Sequence, residues 1–499
     1  MALSVSEIKQ FIDDDISSEK KRRAKVGQDY YEAKHDILKS RLFYYNADGK
    51  LVEDKARSNI KIPHPFFTEL ADQLVSYILS SEENPIRAKE NTDGLQDLLD
   101  EYFDDEFWVE TGDLILDAYT KGFGYIYAYK NAEDRLAFQN ADSMGVVEVP
   151  AKYAEDKQDH VLYWYEDGVE KGKKTVKRIQ DWTKTDTTYW VQIDNGKIEL
   201  DDTADYNPRP HVVFTDEETG EKMCCDFGFI PFWRLDNNKK QTSGLTPIKP
   251  IIDDYDLMQC GLSNNLADFD TPLHVVKGFE GHNDENALEE LQQNLKTKKI
   301  VGVDSEGDVE IRTIDIPYQA RKVKADEDEK NIYRFGMGFN SSQVGDGNIT
   351  NIVIRSRYTL LDLKADKMLK RLKQLLKKIV KVVLEEINKK NGTDYQFKDI
   401  YWDFAFETMT NETENIQNEK VKAETQQIRI TIILNVAANI GDEETLKAIC
   451  DELDLDYEEL KGQVEQLKEE KNTADAQALL KGVVTDEPPT ETGSGTISE

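Results

Sequence analysis

The sequence predicts an α+β chain, mainly helical, and three observations carry that prediction. Apolar residues recur at helical spacing near both ends and along one very long stretch between 352 and 390. Between Gly124 and about Arg234 the pattern changes to short β-rich runs split by Gly, Asn and Asp. The 499 residues suffice, at about 150 per domain, for three domains or a little more.

The net charge is -34, from 64 Lys plus Arg against 98 Asp plus Glu, and that argues against tight nucleic-acid binding, which draws its affinity from Lys and Arg. Aromatics still reach 9%, so a folded protein is expected and not an acidic disordered one. The apolar stretch near Ile430–Ile440 is interrupted by Thr431, Asn435 and Asn439, and no bilayer span is expected. Met1-Ala-Leu-Ser-Val-Ser-Glu lacks the basic and apolar regions of a secretory signal. Cys224, Cys225, Cys260 and Cys450 form no disulfide framework and no C-x-x-C pair, which fits a reducing compartment.

In chain order, residues 4–45 and 64–120 read as helices, the second opening after His64-Pro65 with the run closed by Asn84-Pro85. Tyr125-Ile-Tyr-Ala-Tyr, Val161-Leu-Tyr-Trp-Tyr, Thr188-Tyr-Trp-Val-Gln-Ile and His211-Val-Val-Phe read as antiparallel strands. A helix follows from about Pro247 to Asp268. Its stripe of Ile251, Tyr255, Met258, Leu262, Leu266 and Phe269 is one-sided, with Asp253, Asp254, Asp256, Asn264 and Asn265 largely elsewhere on the surface.

Residues 272–316 form a small α/β unit. Leu273-His-Val-Val is its first strand, Leu288, Leu291 and Leu295 mark a short helix, and Ile300-Val-Gly-Val with Val309-Glu-Ile-Arg-Thr-Ile flank Ser305-Glu-Gly-Asp as a hairpin. Such a unit is too small to stand alone and should lean on copies of itself or on a partner. Residues 318–335 are helical and polar nearly all round, either an exposed surface helix or one that faces water in a channel. Gly336 to Asn348 is a loop with four glycines in thirteen residues.

The helix over 352–390 has Leu361, Ala365, Met368, Leu372, Leu376, Ile379, Val383 and Ile387 as its spine and stops at Asn391-Gly392. At 1.5 Å per residue it is on the order of 55 Å long. Helices over 412–440 and 442–471 flank Gly441, and 473–499 is a disordered acidic tail.

The sequence offers few motifs that could carry chemistry. The 336–348 loop has no Gly-Lys-Ser/Thr and follows a helix, so it is no Walker site. His35, His64, His160, His211, His274 and His282 lack metal-ligand spacing and are assigned to surface or packing roles. Asp253, Asp254 and Asp256 could hold Mg²⁺ in a nuclease, but adjacent carboxylates diverge on a helix and a solvated face fits better. Nothing nominates a nucleophile with its base, no cofactor or metal site emerges, and the chain reads as structural or mechanical, not as an enzyme.

Charge is locally anomalous. Ile352–Lys381 carries ten Lys/Arg against Asp362 and Asp366, with Lys364, Lys367, Arg371 and Lys378 on one face. These pair with acids of neighbouring elements or subunits, or Arg355 and Arg357 beside the loop contact phosphate. Lys20-Lys-Arg-Arg23 reads as a solvated helix face.

Several strings, in order, resemble the portal proteins of tailed bacteriophages, in the siphovirus group of Gram-positive hosts. They begin with Tyr30-Tyr-Glu-Ala-Lys-His-Asp-Ile-Leu38, Asn59-Ile-Lys-Ile-Pro-His-Pro-Phe-Phe67, Leu70-Ala-Asp-Gln-Leu-Val-Ser-Tyr77 and Asn84-Pro-Ile86. They continue with Gly228-Phe-Ile-Pro-Phe232, Asn237-Asn238, Ile252-Asp-Asp-Tyr-Asp256, Ser263-Asn-Asn-Leu266, Val275-Val-Lys-Gly278 and Ile314-Asp-Ile-Pro317. Gly347-Asn348, Tyr358 and Leu363-Lys-Ala365 close the series.

The resemblance implies a portal-type ring of about twelve subunits around a channel for double-stranded DNA. It divides the chain into a wing (1–235, with 353–411), stem helices (236–271 and 317–335), a clip (272–316), a channel loop (336–352) and a helical crown (412–472). It puts Ser341, Ser342, Gln343, Asn348, Thr350, Asn351, Arg355 and Arg357 at the DNA-channel loop and Lys322, Asp326, Glu329 and Lys330 on the channel-lining stem. Glu289, Glu290, Asp304 and Glu306 become clip docking residues. The implied partners are further copies of the chain, DNA in transit, the terminase large subunit, major capsid and scaffolding proteins, and head–tail adaptors, with no membrane. Location in the virion at a capsid vertex, after assembly in host cytoplasm, follows as well. Acidic walls then suit a conduit, because they deny a sliding polyanion the counterion release that would hold it. The alternatives are a metal-dependent phage nuclease and an acidic scaffold or DNA mimic.

Overall fold

The computed structural model describes residues 3–46, 48–55, 57–81, 83–89, 92, 94–131, 133–151, 158–170, 174–194, 196–204, 206–215, 222–269, 273–277, 286–287, 289–290, 308–312, 318–340, 351–404, 412–453 and 457. Contacts divide the chain into two units, Met1–Gly347 with Val353–Thr408 and Asn348–Ile352 with Met409–Glu499.

In the first unit α1 (Val5–Ile16) and α2 (Glu19–Tyr31) open the chain, each started by a serine whose hydroxyl accepts a first-turn amide. The helix expected over 4–45 ends at Tyr31. A hairpin of β1 (Phe43–Tyr45) and β2 (Leu51–Glu53) replaces its last part. The reason is local: the Asn46 carboxamide oxygen accepts from the amides of Asp48 and Lys50, a turn that competes with helix.

The run over 64–120 is three helices and a strand: α3 (Phe66–Ile78), β3 (Ile86–Ala88), α4 (Leu95–Tyr102) and α5 (Asp105–Lys121). Pro85 disfavours helix before it, and Asp104 caps α5 by accepting from the Phe107 amide at 3.0 Å. β3 pairs with a strand more than 300 residues later, which local periodicity cannot show.

The expected antiparallel strands are present. β4 (Phe123–Lys130) and β5 (Leu136–Ala141) are followed by β6 (Val146–Pro150), β7 (Gln158–Glu170), β8 (Lys174–Trp182), β9 (Asp186–Ile193) and β10 (Ile198–Leu200). The last five make a meander in the order β10-β9-β8-β7-β6, with β11 (Arg209–Pro210) also on β9. β12 (Val212–Thr215) pairs with β13 (Lys222–Cys225), and β14 (Phe232–Asp236) pairs with β4. Ile8 and Ile12 of α1 pack against the Val147, Leu162 and Ile179 face of the meander.

Lys21 corrects the reading of 20–23 as a solvated face. It is 2% exposed and its ammonium donates to the carbonyls of Ser143, Met144 and Val146 at 2.6 to 3.0 Å. Burial also lowers the neighbouring Lys20 to a pKa of about 8.

α6 (Lys249–Phe269) leads to β15 (Leu273–Lys277), which pairs antiparallel with β16 (Asp308–Arg312). The expected hairpin had 309–314 beside 300–303. The described partner of β16 is instead β15, and 300–303 lies outside the described residues. Then come α7 (Tyr318–Gly336), α8 (Asn351–Asn391) and β17 (Ile400–Trp402).

α8 matches its expectation, and all eight spine residues are 2% exposed or less. It ends at Gly392 with φ +65, a conformation that side chains rarely take. Its spine joins Phe67, Leu70 and Leu74 of α3, Leu99 of α4 and Leu114 of α5 in the main core.

In the second unit α9 (Glu412–Ile440) and α10 (Asp442–Leu453) meet at Gly441, φ +89. The expected continuation of α10 to 471, and the tail 473–499, lie outside the described residues apart from Tyr457, whose hydroxyl donates to Glu443 at 3.0 Å. Among the described residues no helix is long and apolar enough to cross a membrane.

Candidate functional site

The site is built on α6, α7 and the residues that leave α7. α6 does not bury the stripe its periodicity marks: Leu266 is 55% exposed, whereas Ile252, Asp256 and Cys260 are buried. The cause is the segment Ser58–His64 lying along this helix. The amides of Ser58, Ile60, Ile62 and His64 donate in turn to side chains of Asp268, Asn264, Cys260 and Asp256, at 3.0, 2.6, 3.2 and 3.0 Å. Two near-extended residues cover about 6.6 Å and four helical residues about 6 Å, so the rungs stay in phase.

Asp256, expected on the solvated face, is fully buried. His35 Nδ1 lies 2.6 Å from one of its oxygens and His64 Nδ1 2.7 Å from the other. Burial pushes this carboxyl up, but the hydrogen bonds from His35 and His64 outweigh it and hold the group below its usual range. Asp253 is engaged by the Tyr30 hydroxyl and by Lys249. The triad weighed as a Mg²⁺ site is therefore committed to holding the amino-terminal segment and the helix pair, and among the described residues no cluster of His, Cys, Asp and Glu could hold a metal.

α7 packs along α6. Lys324 bridges them, 2.6 Å from Asp254 on α6 and 2.6 Å from Asp328 on its own helix, and these two hydrogen bonds raise its pKa. Asp328 is 5% exposed and Ala325, Ile332 and Tyr333 are buried, so the helix has one inner face despite its composition. Of the expected channel-lining residues, Lys322, Asp326 and Lys330 are exposed, while Glu329 is half-buried and accepts from Asn340 at 3.0 Å.

The expected loop began at Gly336, but that glycine is the last helical residue, and 337–340 are fixed to the core. Gln73 of α3 clamps Phe339 at both ends: its amide donates to the Phe339 carbonyl at 2.8 Å and accepts from the Phe339 amide at 3.0 Å. The Phe339 ring stacks on Tyr358 with centroids 4.5 Å apart. A Cβ on Gly338 would sit 2.0 Å from a Leu70 methyl, so nothing larger fits there unchanged.

Lys364, expected on a charged face, is 8% exposed. Its ammonium donates to the carbonyls of Gly336 and Leu70, both at 3.1 Å, and lies 4.2 Å from the Tyr119 ring centroid. Burial lowers its pKa to about 7. Helical spacing held the signal, since position 364 falls between Leu361 and Met368 on the spine; Gln73 left no comparable trace.

Asn351, Arg355 and Arg357 belong to the first two turns of α8 and not to a loop. Glu289 and Glu290 are exposed on a short helical stretch. Ser341, Ser342, Gln343, Asn348, Thr350, Asp304 and Glu306 lie outside the described residues.

Comparison with known proteins bears on the whole arrangement. A family described as "Phage portal protein, SPP1 Gp6-like" matches residues 10–477. The portal protein of Bacillus phage SPP1 is 24% identical over 402 residues, 79% of this chain and 76% of that protein. The portal protein of Clostridium phage phiCD119 is 24% identical over 425 residues, 80% of this chain and 86% of its own length. Phage portal proteins are structural components of the virion capsid and not an enzyme family. With its match running through both the α6–α7 pair and the clamped exit from α7, this chain belongs to the phage portal protein family of the SPP1 Gp6-like type.

Proposed function

We propose that about twelve copies of this chain close into a ring at one capsid vertex and conduct double-stranded DNA in packaging and ejection. The observation that carries this reading is the family match over 10–477. The wing would comprise 1–235 with 353–411, the stem 236–271 with 317–335, the clip 272–316 and the crown 412–472. The channel loop would comprise 341–350, between the clamped Phe339–Asn340 and the start of α8. The exposed Lys322, Asp326 and Lys330 of α7 would face water in the channel, where mixed charge on a chain of -34 lets DNA slide without counterion release.

The small unit with Glu289 and Glu290 on its surface would dock the terminase large subunit and later the head–tail adaptors. Major capsid and scaffolding proteins would meet the ring as the head assembles in host cytoplasm. Both rivals lack support at the site: the nuclease needs Asp253 and Asp256 free for metal, and a monomeric DNA mimic needs no clamped helix pair.

Negative-stain images and light scattering test the ring directly. Annular particles of about 0.7 MDa are expected from a 57.3 kDa subunit, and a chain that stays monomeric refutes the reading. Deleting 341–350 should spare those rings yet impair DNA packaging, while normal packaging removes the loop from the functional residues. Charge reversal at Glu289 and Glu290 should weaken terminase stimulation without affecting the rings.

A further inference from the structure

Lys367–Lys381 holds seven Lys/Arg and no Asp or Glu, in a chain whose net charge is -34. Helical geometry puts Lys367, Lys370, Arg371, Lys377, Lys378 and Lys381 within an arc of about 120°. Five are exposed and Arg371 is half-buried. Among the described residues none of the six is in an ion pair with a carboxylate. Leu360 and Leu363, 38% and 48% exposed, extend the same arc toward the start of α8. Like charges three and four residues apart repel, so an uncovered stripe weakens the isolated subunit.

A matching surface lies on α3 and α5. Three adjoining cavities of about 720, 500 and 250 Å³ follow α3 from His64 to Phe404. The first two share Asp72 and Ser76, and the last two share Leu79 and Trp108, so they form one groove. Its floor is apolar, with Val75, Leu79, Trp108 and Leu116, and Val109 on its edge is 65% exposed. Glu69, Asp72, Asp105 and Asp113 edge it. Among the described residues none of these four carboxylates has a cationic partner. The thirteen residues of α3 rise about 20 Å and the span from Lys367 to Lys381 about 21 Å.

We propose that the Leu360–Lys381 face of α8 in one copy seats in the acid-edged groove of α3 and α5 in a second copy. This rests on the ring reading and names a surface for it. Charge sign, apolar content and length agree between the two faces. Double-stranded DNA would satisfy the lysines but would leave the groove uncovered and set Leu360 and Leu363 against phosphates.

The test compares four full-length chains by sedimentation and negative stain at low salt. They are the wild type, Lys370→Glu/Lys377→Glu/Lys378→Glu, Asp105→Lys/Asp113→Lys, and all five changes together. Each reversed set should cut the annular fraction at least about tenfold, and the five-fold variant should recover to within about threefold of wild type. A reversed set that assembles normally, or a combined variant that fails to recover, overturns the pairing. A lysine-reversed chain that forms rings but loses retention on double-stranded DNA cellulose assigns the stripe to nucleic acid and also overturns it. Wild type without rings removes the ring reading itself, a result visible before any variant is scored. Should a variant lose its circular dichroism spectrum, mixing Lys377→Cys and Asp113→Cys chains decides: a mixed disulfide absent from either chain alone supports the pairing, and its absence overturns it.

Discussion

Replacing Lys364 by Met tests the buried amine at the foot of α7. Burial lowers this lysine from 10.5 to about 7, so between those values the unfolded chain binds a proton that the folded one does not. Stability therefore rises with pH across that window. Below pH 7 both states are protonated and the cost of burying the ammonium is fully present; above about 10.5 both are neutral and it is gone. One pKa unit corresponds to about 1.4 kcal/mol, and integration from pH 7 to 9 gives wild type a gain of about 2 kcal/mol over the methionine variant. Methionine has similar length and no titration, so every other ionisable group cancels in the difference. Urea unfolding of both chains, followed by tryptophan fluorescence at pH 6, 7, 8 and 9, measures it. Parallel stability profiles across that range would refute the reasoning, because they would mean that the ammonium keeps an ordinary affinity for its proton.

Two further substitutions probe the same assembly. Asp256→Ala removes the acceptor shared by His35 and His64, and leaving buried donors unmatched should cost on the order of 3–5 kcal/mol in urea unfolding at pH 7. Because the Asp256 carboxyl is held below its usual range, its contribution is present above about pH 4 and lost as pH falls through the lower folded value, so the gap between wild type and Asp256→Ala should close in acid. Gly338→Ala drives a methyl group into Leu70 and should cost about 1–3 kcal/mol; a melting curve that overlays wild type would show that the Leu70 side chain can swing away.

What periodicity reveals is a residue's own helix, and α8 shows how far that reaches. Its spine, its end at Gly392 and its length were legible because each depends on neighbours three and four positions away. Lys364 was misread for a chemical reason, since a charged type at a spine position is usually solvated and only the carbonyls of Gly336 and Leu70 make its burial tolerable. Asp256 was misread because its partners come from residues 35 and 64, and nothing in the order of types announces a strap across a helix. The hairpin at 43–53 was missed because its side chains stay exposed and an Asx turn, not burial, sets it. The Gln73 clamp was invisible because a glutamine on a helix surface has no pattern of its own.

The four rungs between Ser58–His64 and α6 specify one register of the strap against the helix. A one-residue slip of the strap would turn each donating amide away from its acceptor, so intermediate positions are penalised at four places at once. Turning or sliding the helix must therefore carry the polypeptide before it along as cargo, and a torque applied to one is delivered to the other.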